Sequence, residues 1–330
     1  MTSALHQQVR RTIRRYGLLP AGSRVLVGLS GGSDSVALTR LLLDLAEHGG
    51  FSVVGLAHLN HGLRSSAQAD EDFCREFAQR VGVPLDVERA AVRDYASSES
   101  LSVEDAARRL RYAFLERTAA ARAADRIAVG HTQDDQAETF LLKLIRGAGL
   151  RGLGGIYPRK GVVIRPLLDV TRDDLRAYLR SRAENWIEDE TNEDLANPRN
   201  RIRHRVLGEL DRALEGSSRR AIARAAALIR EDGQWLDALG EERFLTLARR
   251  TGAGLELDVP GLADTPEPVR RRVLLRAMRE AGGHREIGLE HVEAVSALLN
   301  GAQGGVDVPG TRVELCGGKL VLLEQRGGLR

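Results

Sequence analysis

RVLVGLSGGSDS, residues 24–35, is the stretch whose reading decides the fold. Residues 24–29 are a compact apolar run of strand length, and residues 36–46 continue as a helix with a broad leucine face. Ser30, Gly31, Gly32, Ser33, Asp34 and Ser35 join the two. The two glycines let backbone N–H groups close around an anion. Ser30, Ser33 and Ser35 add hydroxyl donors, and the helix N-terminus adds its dipole. Asp34 sets a carboxylate where Mg²⁺ can bridge it to phosphate oxygens. The segment lacks the Gly-Lys-Ser/Thr of a Walker A loop, so it is not a kinase-type P-loop. The plain structural alternative is a strand-to-helix turn capped by Ser and Gly.

Outward from this loop the same alternation repeats. Strands are expected at 52–59, 84–90, 126–130 and 162–165, and helices at 4–16, 67–81, 103–123, 134–146 and 172–182. Strands alternating with such helices imply βαβ units and a parallel sheet with helices on both faces. Ligands of these sheets bind beyond the carboxyl ends of the strands. The alternation stops near residue 185. Residues 188–200 are polar, contain Pro198 and read as a loop. Residues 201–250 are helical and alanine-rich, and two more helices are expected at 266–281 and 288–300. Residues 311–316 and 319–324, joined by Gly317-Gly318, read as a hairpin. The expected organisation is α/β: a parallel-sheet catalytic domain over 1–210, then a smaller, mostly helical substrate-binding domain over 211–330 with a terminal β-hairpin.

The 330 residues leave room for two domains of roughly 150 residues each. A hydrophobic share of 42% and a charged share of 29% are ordinary globular values and exclude collagen-like, disordered and disulfide-scaffold classes. No run approaches about 18 apolar residues, so no membrane-spanning helix is expected. Residues 1–15 lack the apolar stretch of a secretory signal. Cys74 and Cys316 are the only cysteines, which excludes a cysteine-based zinc site and a thioredoxin-type dithiol. A cytoplasmic location is the expectation. The net charge is only +3, but it is unevenly spread. Residues 199–230 hold nine Arg against Glu209, Asp211 and Glu215, a local balance of +6. Such a block suggests a polyanionic partner; a solvated helix face is the alternative.

A second chemical segment, GHTQDDQAET at 130–139, follows the fourth expected strand. Asp135 and Glu138 are three apart, so they share one helix face near the ligand edge of the sheet. Capping explains one aspartate, but neither the third carboxylate nor His131 at the strand end. Arg108 and Arg111 share a face of the preceding helix. Gly147, Gly149 and Gly152 fit the letters of a dinucleotide fingerprint, yet they follow a helix instead of a strand, so a nicotinamide site is not expected.

The loop 30–35 resembles the PP-loop of the N-type ATP pyrophosphatases, which cleave ATP to AMP and pyrophosphate. Within that superfamily the chain is similar to the tRNA(Ile)-lysidine synthase family. The resemblance runs through SGGSDS (30–35), HGLR (61–64), EDAARRLRY (104–112), GHTQDDQAET (130–139), RGAGLRGL (146–153), IRPLL (164–168), DETN (189–192) and NPRNRIRHR (197–205). It covers residues 20–210 closely and the tail more loosely.

The resemblance implies adenylation of the wobble cytidine of an isoleucine tRNA with a CAU anticodon. Attack by the ε-amine of free L-lysine then gives lysidine. It implies ATP and Mg²⁺, with Ser30, Gly31, Gly32, Ser33, Asp34, Ser35, Ala57, His58 and His131 binding ATP and Asp34 holding the metal. Asp34, Arg111, Asp135 and Glu138 are the implied catalytic set, with Arg108 as the alternative to Arg111. Arg199, Asn200, Arg201, Arg203 and Arg205 are the implied tRNA contacts, and Arg270, Arg271, Arg272 and Arg276 are a weaker second cluster. The family contains dimers, so a homodimer is allowed; no membrane partner is implied. Three rivals stand beside this reading. A PP-loop tRNA thiolase would need reactive or cluster-binding cysteines. A small-molecule amide synthetase would leave the basic block unexplained. A nucleotide-binding regulator would not need Asp135 with Glu138.

Overall fold

Val25, Leu26 and Val27 lose all contact with solvent because their strand is covered on both faces. This strand, β1 (Arg24–Gly28), lies inside a six-stranded sheet. The computed structural model describes residues 4–63, 66–188, 195–213, 217–252, 254–283, 285, 287–301 and 304–324. Its contacts divide the chain into two compact units, Met1–Leu228 and Ile229–Arg330.

The first unit begins with α1 (Ala4–Arg15), β1, α2 (Ser33–Gly49), β2 (Ser52–Asn60), α3 (Ala67–Val81) and β3 (Leu85–Arg89). It continues with α4 (Val92–Ser98), α5 (Val103–Ala121), β4 (Arg126–Ala128), α6 (Gln133–Ile145) and α7 (Leu150–Leu153). Then come β5 (Arg159–Lys160), β6 (Val163–Ile164), α8 (Arg172–Ser181) and α9 (Pro198–Arg201). A π-helical turn (Ile202–Val206) leads into α10 (Leu207–Ala213), and α11 (Ser218–Leu247) begins in this unit and continues into the second. The strand order is β3-β2-β1-β4-β6-β5. All pairings are parallel except β5 with β6. Val25 and Val27 pack with Leu38, Leu41 and Leu42 of α2 and with Leu175 and Leu179 of α8. Leu26 faces the other way, onto Phe114 and Leu115 of α5. The parallel α/β reading is borne out. The short α4 and the two-residue edge strand β5 are additions to it.

The chain progression reverses between β1 and β4, and sheets of this kind bind ligands beyond the carboxyl ends of the strands at such a switch point. The loops after β1 and β4 carry SGGSDS and GHTQDD, so the fold brings the two chemical segments to one place.

The second unit contains β7 (Ala248–Thr251), β8 (Gly254–Asp258), α12 (Val259–Ala263), α13 (Glu267–Ala281) and α14 (Leu289–Leu299). It ends with β9 (Gly305–Val308), β10 (Thr311–Cys316) and β11 (Lys319–Glu324). The expected hairpin is present, with Cys316 paired to Lys319 across Gly317-Gly318. It is the heart of a five-stranded antiparallel sheet, ordered β7-β8-β11-β10-β9. Leu257, Val273, Met278, Val295, Val313 and Leu320 fill its core. The sequence reading placed the division at 210/211.

Candidate active site

The loop after β1 is held open by its own serines. Ser35 Oγ accepts from Ser30 N at 3.1 Å and donates to Gly32 O at 3.0 Å. Ser33 Oγ donates to Asp34 Oδ1 at 3.1 Å. Gly31 has φ +87°, and a Cβ there would lie 2.5 Å from Ile187 Cδ1. The left-handed conformation favours glycine there, and a side chain would also have to displace the end of the overlying isoleucine. Ile187 N donates to Gly31 O at 2.9 Å, which ties the segment after α8 to the loop.

Gly130 explains the first letter of the second segment. A Cβ on it would come 3.1–3.2 Å from the backbone of Asp34 and Ser35. The β4–α6 loop thus presses directly on the first loop. Thr132 caps α6, and Asp135 closes a capping box, its Oδ2 accepting from Thr132 N at 2.8 Å. Asp135 has a capping duty, as one plain reading held, but its other oxygen reaches elsewhere.

Sequence reasoning missed that partner, Arg172, the first residue of α8. Its Nε donates to Asp34 Oδ2 at 3.2 Å, its Nη2 to Asp135 Oδ1 at 3.1 Å, and its Nη1 lies 3.7 Å from Glu138 Oε1. Its backbone N–H donates to Asp134 Oδ2 at 2.9 Å. One guanidinium therefore joins three carboxylates from two loops about a hundred residues apart. An arginine in the first turn of a helix opposes the helix dipole. That misplacement was the available signal.

Glu138 has no exposed side-chain surface. It accepts from Arg199 Nε at 2.8 Å and Arg203 Nε at 2.6 Å. Asn197 caps α9, with Pro198 following it. Arg199 and Arg203 are four apart and share the inward face. Two of the five expected RNA contacts are thus turned toward the carboxylates. Asn200 is buried, while Arg201 and Arg205 are exposed. Arg201 Nη1 donates to the carbonyls of Leu195 and Ala196, both at 3.0 Å.

Charge follows this packing. Burial alone would raise Asp135, but Arg172, Arg199 and the Thr132 N–H outweigh it and hold the acid at about 2. Asp34 is raised, chiefly by burial, against the pull of Arg172. His131 is pushed down to about 3, first by burial, and its Nδ1 has no hydrogen-bond partner among the described residues. It is a neutral ring with an unused nitrogen. Arg111 is half-buried and lowered, mainly by desolvation; Arg199 also opposes its charge. It has no carboxylate within salt-bridge distance among the described residues. Arg108 and Arg111 lie 5.0 and 5.7 Å from the Tyr112 ring.

His58, at the end of β2, is buried and lowered, mainly by desolvation. Its Nδ1 lies 2.9 Å from Leu29 O and its Nε2 is unpartnered among the described residues. Ala57 O accepts from Leu29 N at 2.9 Å. Burial pushes the neighbouring Cys74 thiol up to about 12, so it is an inert core residue. The glycine-rich segment is a loop around α7, tied to the site by Gln136, which donates to Gly154 O and accepts from Ile156 N. Arg64 and residues 189–192 lie outside the described residues.

Residues 1–210 match the PP-loop domain family, and residues 257–320 match the TilS substrate binding domain. The tRNA(Ile)-lysidine synthase of Geobacter sulfurreducens is 40% identical over 90% of this chain and 63% of its own length. The one from Thermobifida fusca is 38% identical over 92% and 91%. The chain spans 49% of the Thermus thermophilus relative, at 41% identity. Among solved structures, the U34-tRNA thiolase NcsA of Methanococcus maripaludis, with its [4Fe-4S] cluster, superposes with a TM-score of 0.57. It is 19% identical and covers 69% of this chain and 78% of its own, a likeness of fold.

Proposed function

The chain belongs to the tRNA(Ile)-lysidine synthase family of PP-loop proteins, and from that premise we propose that it joins free lysine to C2 of the wobble cytidine in a CAU-anticodon isoleucine tRNA. ATP adenylates the C2 oxygen and pyrophosphate leaves. The lysine ε-amine then attacks C2 and displaces AMP. The change would turn a methionine anticodon into one that reads AUA. The reaction calls for a cytoplasmic protein, and no described helix is long and apolar enough to cross a membrane.

The observation that carries this reading is the convergence of Asp34, Asp135 and Glu138 beside a serine- and glycine-built anion loop. The loop 30–35 receives the triphosphate, while the unused nitrogens of His58 and His131 and the unpaired Arg111 line up with a nucleotide role. No three His, Cys, Asp or Glu side chains among the described residues form a metal-binding group. Mg²⁺ suits such a site, because it binds through one or two carboxylates plus substrate phosphates. Asp34 fits that part. When bound, the metal would neutralise charge on the departing pyrophosphate.

Lysine is a cation with an unperturbed pKa of about 10.4, so only about one molecule in a thousand is nucleophilic at neutral pH. Asp135 and Glu138 recruit its ammonium. In the free protein their charges are matched by Arg172, Arg199 and Arg203. A strong amine site therefore forms once incoming phosphate draws an arginine away. The electron-poor adenylated base lowers the amine's hold on its proton, and a carboxylate takes it. Exposed Arg201 and Arg205 remain the phosphate contacts of the basic block.

The test is incubation of the CAU-anticodon isoleucine tRNA with ATP, Mg²⁺ and labelled lysine. Label should enter the tRNA only when every component is present. Pyrophosphate release that ignores both tRNA and lysine would reject this function in favour of a nucleotide-binding regulator.

A further inference from the structure

The helix α1 reads ALHQQVRRTIRR and contains no acidic residue. Its apolar side is spent inside the protein, with Val9 fully buried and Ile13 nearly so. This leaves Arg10, Arg11, Arg14 and Arg15 around a shallow groove completed by Gln7. Arg11 and Arg14 are exposed and Arg10 is half-exposed. None of these three has a carboxylate partner among the described residues. Elsewhere in this unit acidic neighbours answer many arginines, as Glu184 does for Arg40 and Arg80.

We propose that this face of α1 is a docking surface for the phosphate backbone of the tRNA, separate from the basic block that starts at Arg199. The inference rests on the reading above that the substrate is a tRNA. Charge complementarity selects the partner: a row of unpaired guanidiniums suits successive phosphates, and Arg binds them through a planar fork. A membrane surface fits less well, because an interfacial helix needs its apolar face free, and here that face is in the core.

The place of the helix also suits this partner. Thr12 Oγ1 donates to Asp169 Oδ2 at 2.7 Å, and Gln8 Nε2 donates to Asp169 O at 2.5 Å. Asp169 sits three residues before Arg172, and Val170 O accepts from Gln133 N at the start of α6 at 2.9 Å. The helix that carries the arginine face is thus anchored, through Gln8 and Thr12, to the turn that precedes the carboxylate-bridging arginine.

The experiment is a salt titration of binding between the full chain and the CAU-anticodon isoleucine tRNA, read by fluorescence anisotropy. Three chains are compared: wild type, Arg10→Gln/Arg11→Gln/Arg14→Gln, and the same three positions changed to Lys. Each phosphate contact contributes about 0.7–0.9 to the log–log salt slope. The Gln variant should lose roughly two contacts. Its fall in affinity between about 50 and about 200 mM salt should then be roughly tenfold smaller than wild type's. The Lys variant should recover most of the slope, which a structural role of the guanidiniums would not produce.

An unchanged slope in the Gln variant overturns the proposal, as does equal loss in both variants. Arginine-dependent capture of the chain by phosphatidylserine vesicles, with tRNA binding untouched, also overturns it and assigns the face to a membrane. An Arg201→Gln/Arg205→Gln variant separates the two readings. If it loses affinity while the α1 variant does not, only the α1 surface is rejected. A wild-type chain that binds no tRNA rejects the functional reading and this surface with it.

Discussion

Two arginine clusters in this protein have similar composition and opposite character. Around Asp34, Asp135 and Glu138, Arg172, Arg199 and Arg203 converge from separate elements into a space with little solvent. On α13, Arg271 pairs with Glu267 one turn away, Arg272 Nε with Asp237 at 2.8 Å, and Arg276 with Glu241 at 3.0 Å and Glu280 at 2.6 Å. The acids of these pairs keep 20–58% of their side-chain surface, against 0–22% for Asp34, Asp135 and Glu138, and pairs open to solvent are worth about 0–1 kcal/mol each. In the first cluster, removing one charge leaves others buried and unmatched, which costs about 3–5 kcal/mol. Arginine count does not distinguish a site from a solvated surface; convergence and burial do. The run 270–272, a weaker RNA candidate by sequence, has two of its three members answered by neighbouring acids.

The contrast is sharpened most by Arg172→Gln, which leaves Asp34 without its arginine and takes one from Asp135 and Glu138. Unfolding in denaturant should show a loss of about 3–5 kcal/mol. Arg172→Lys should rescue little, since one ammonium cannot match a planar fork that bridges three acids. A loss below about 1 kcal/mol would put this cluster in the same class as α13.

Next comes Asp34→Asn, which keeps the size and removes the charge. Pyrophosphate release should fall on the order of 100-fold or more, while tRNA affinity stays near wild type. Normal release would remove Asp34 from the mechanism.

A smaller effect is expected with pH. His131 and His58 are both held neutral, with His131 at about 3 against an ordinary 6.5. The unfolded chain takes up protons below about pH 6.5 that the folded rings refuse, so stability is full above that pH and falls as pH falls. Between about pH 7 and 5 the His131 share is about 1–2 kcal/mol. His131→Gln should flatten the profile by that amount in pH-dependent thermal melts. An unchanged profile would mean that the ring is free to protonate in the fold.

The smallest effect belongs to the second cluster. Arg272→Gln should change stability by no more than about 1 kcal/mol and leave lysine incorporation intact. A loss of tRNA affinity would show that this surface also meets RNA.

The legible parts of the molecule were those whose cause is local. RVLVGL is apolar throughout because both faces of β1 are covered. A capping aspartate was read at the start of α6, and Asp135 fills that part together with Thr132. Gly317-Gly318 marks its hairpin. The strand β7 (Ala248–Thr251) was read as helix, because its four residues carry no alternation and it forms by pairing with β8. Arg172 was placed on a helix but not in the site, since its role comes from where α8 docks. Arg199 and Arg203 were read as RNA contacts, and only packing shows that they turn toward Glu138. Gly130 was quoted as part of a motif; the close approach of Asp34 supplies its reason.

The most direct test of the central claim, that the buried carboxylate–arginine cluster handles lysine, is to measure both half-reactions of Glu138→Gln side by side. Pyrophosphate release from ATP and tRNA should persist, adenylated tRNA should accumulate, and labelled lysine should fail to enter. Circular dichroism confirms that the variant is folded, which the loss of a buried charge makes necessary. If both half-reactions of the folded variant fell equally, or if lysine entered normally, the cluster would serve ATP binding or the fold, and the assignment of Asp135 and Glu138 to the amine would be contradicted.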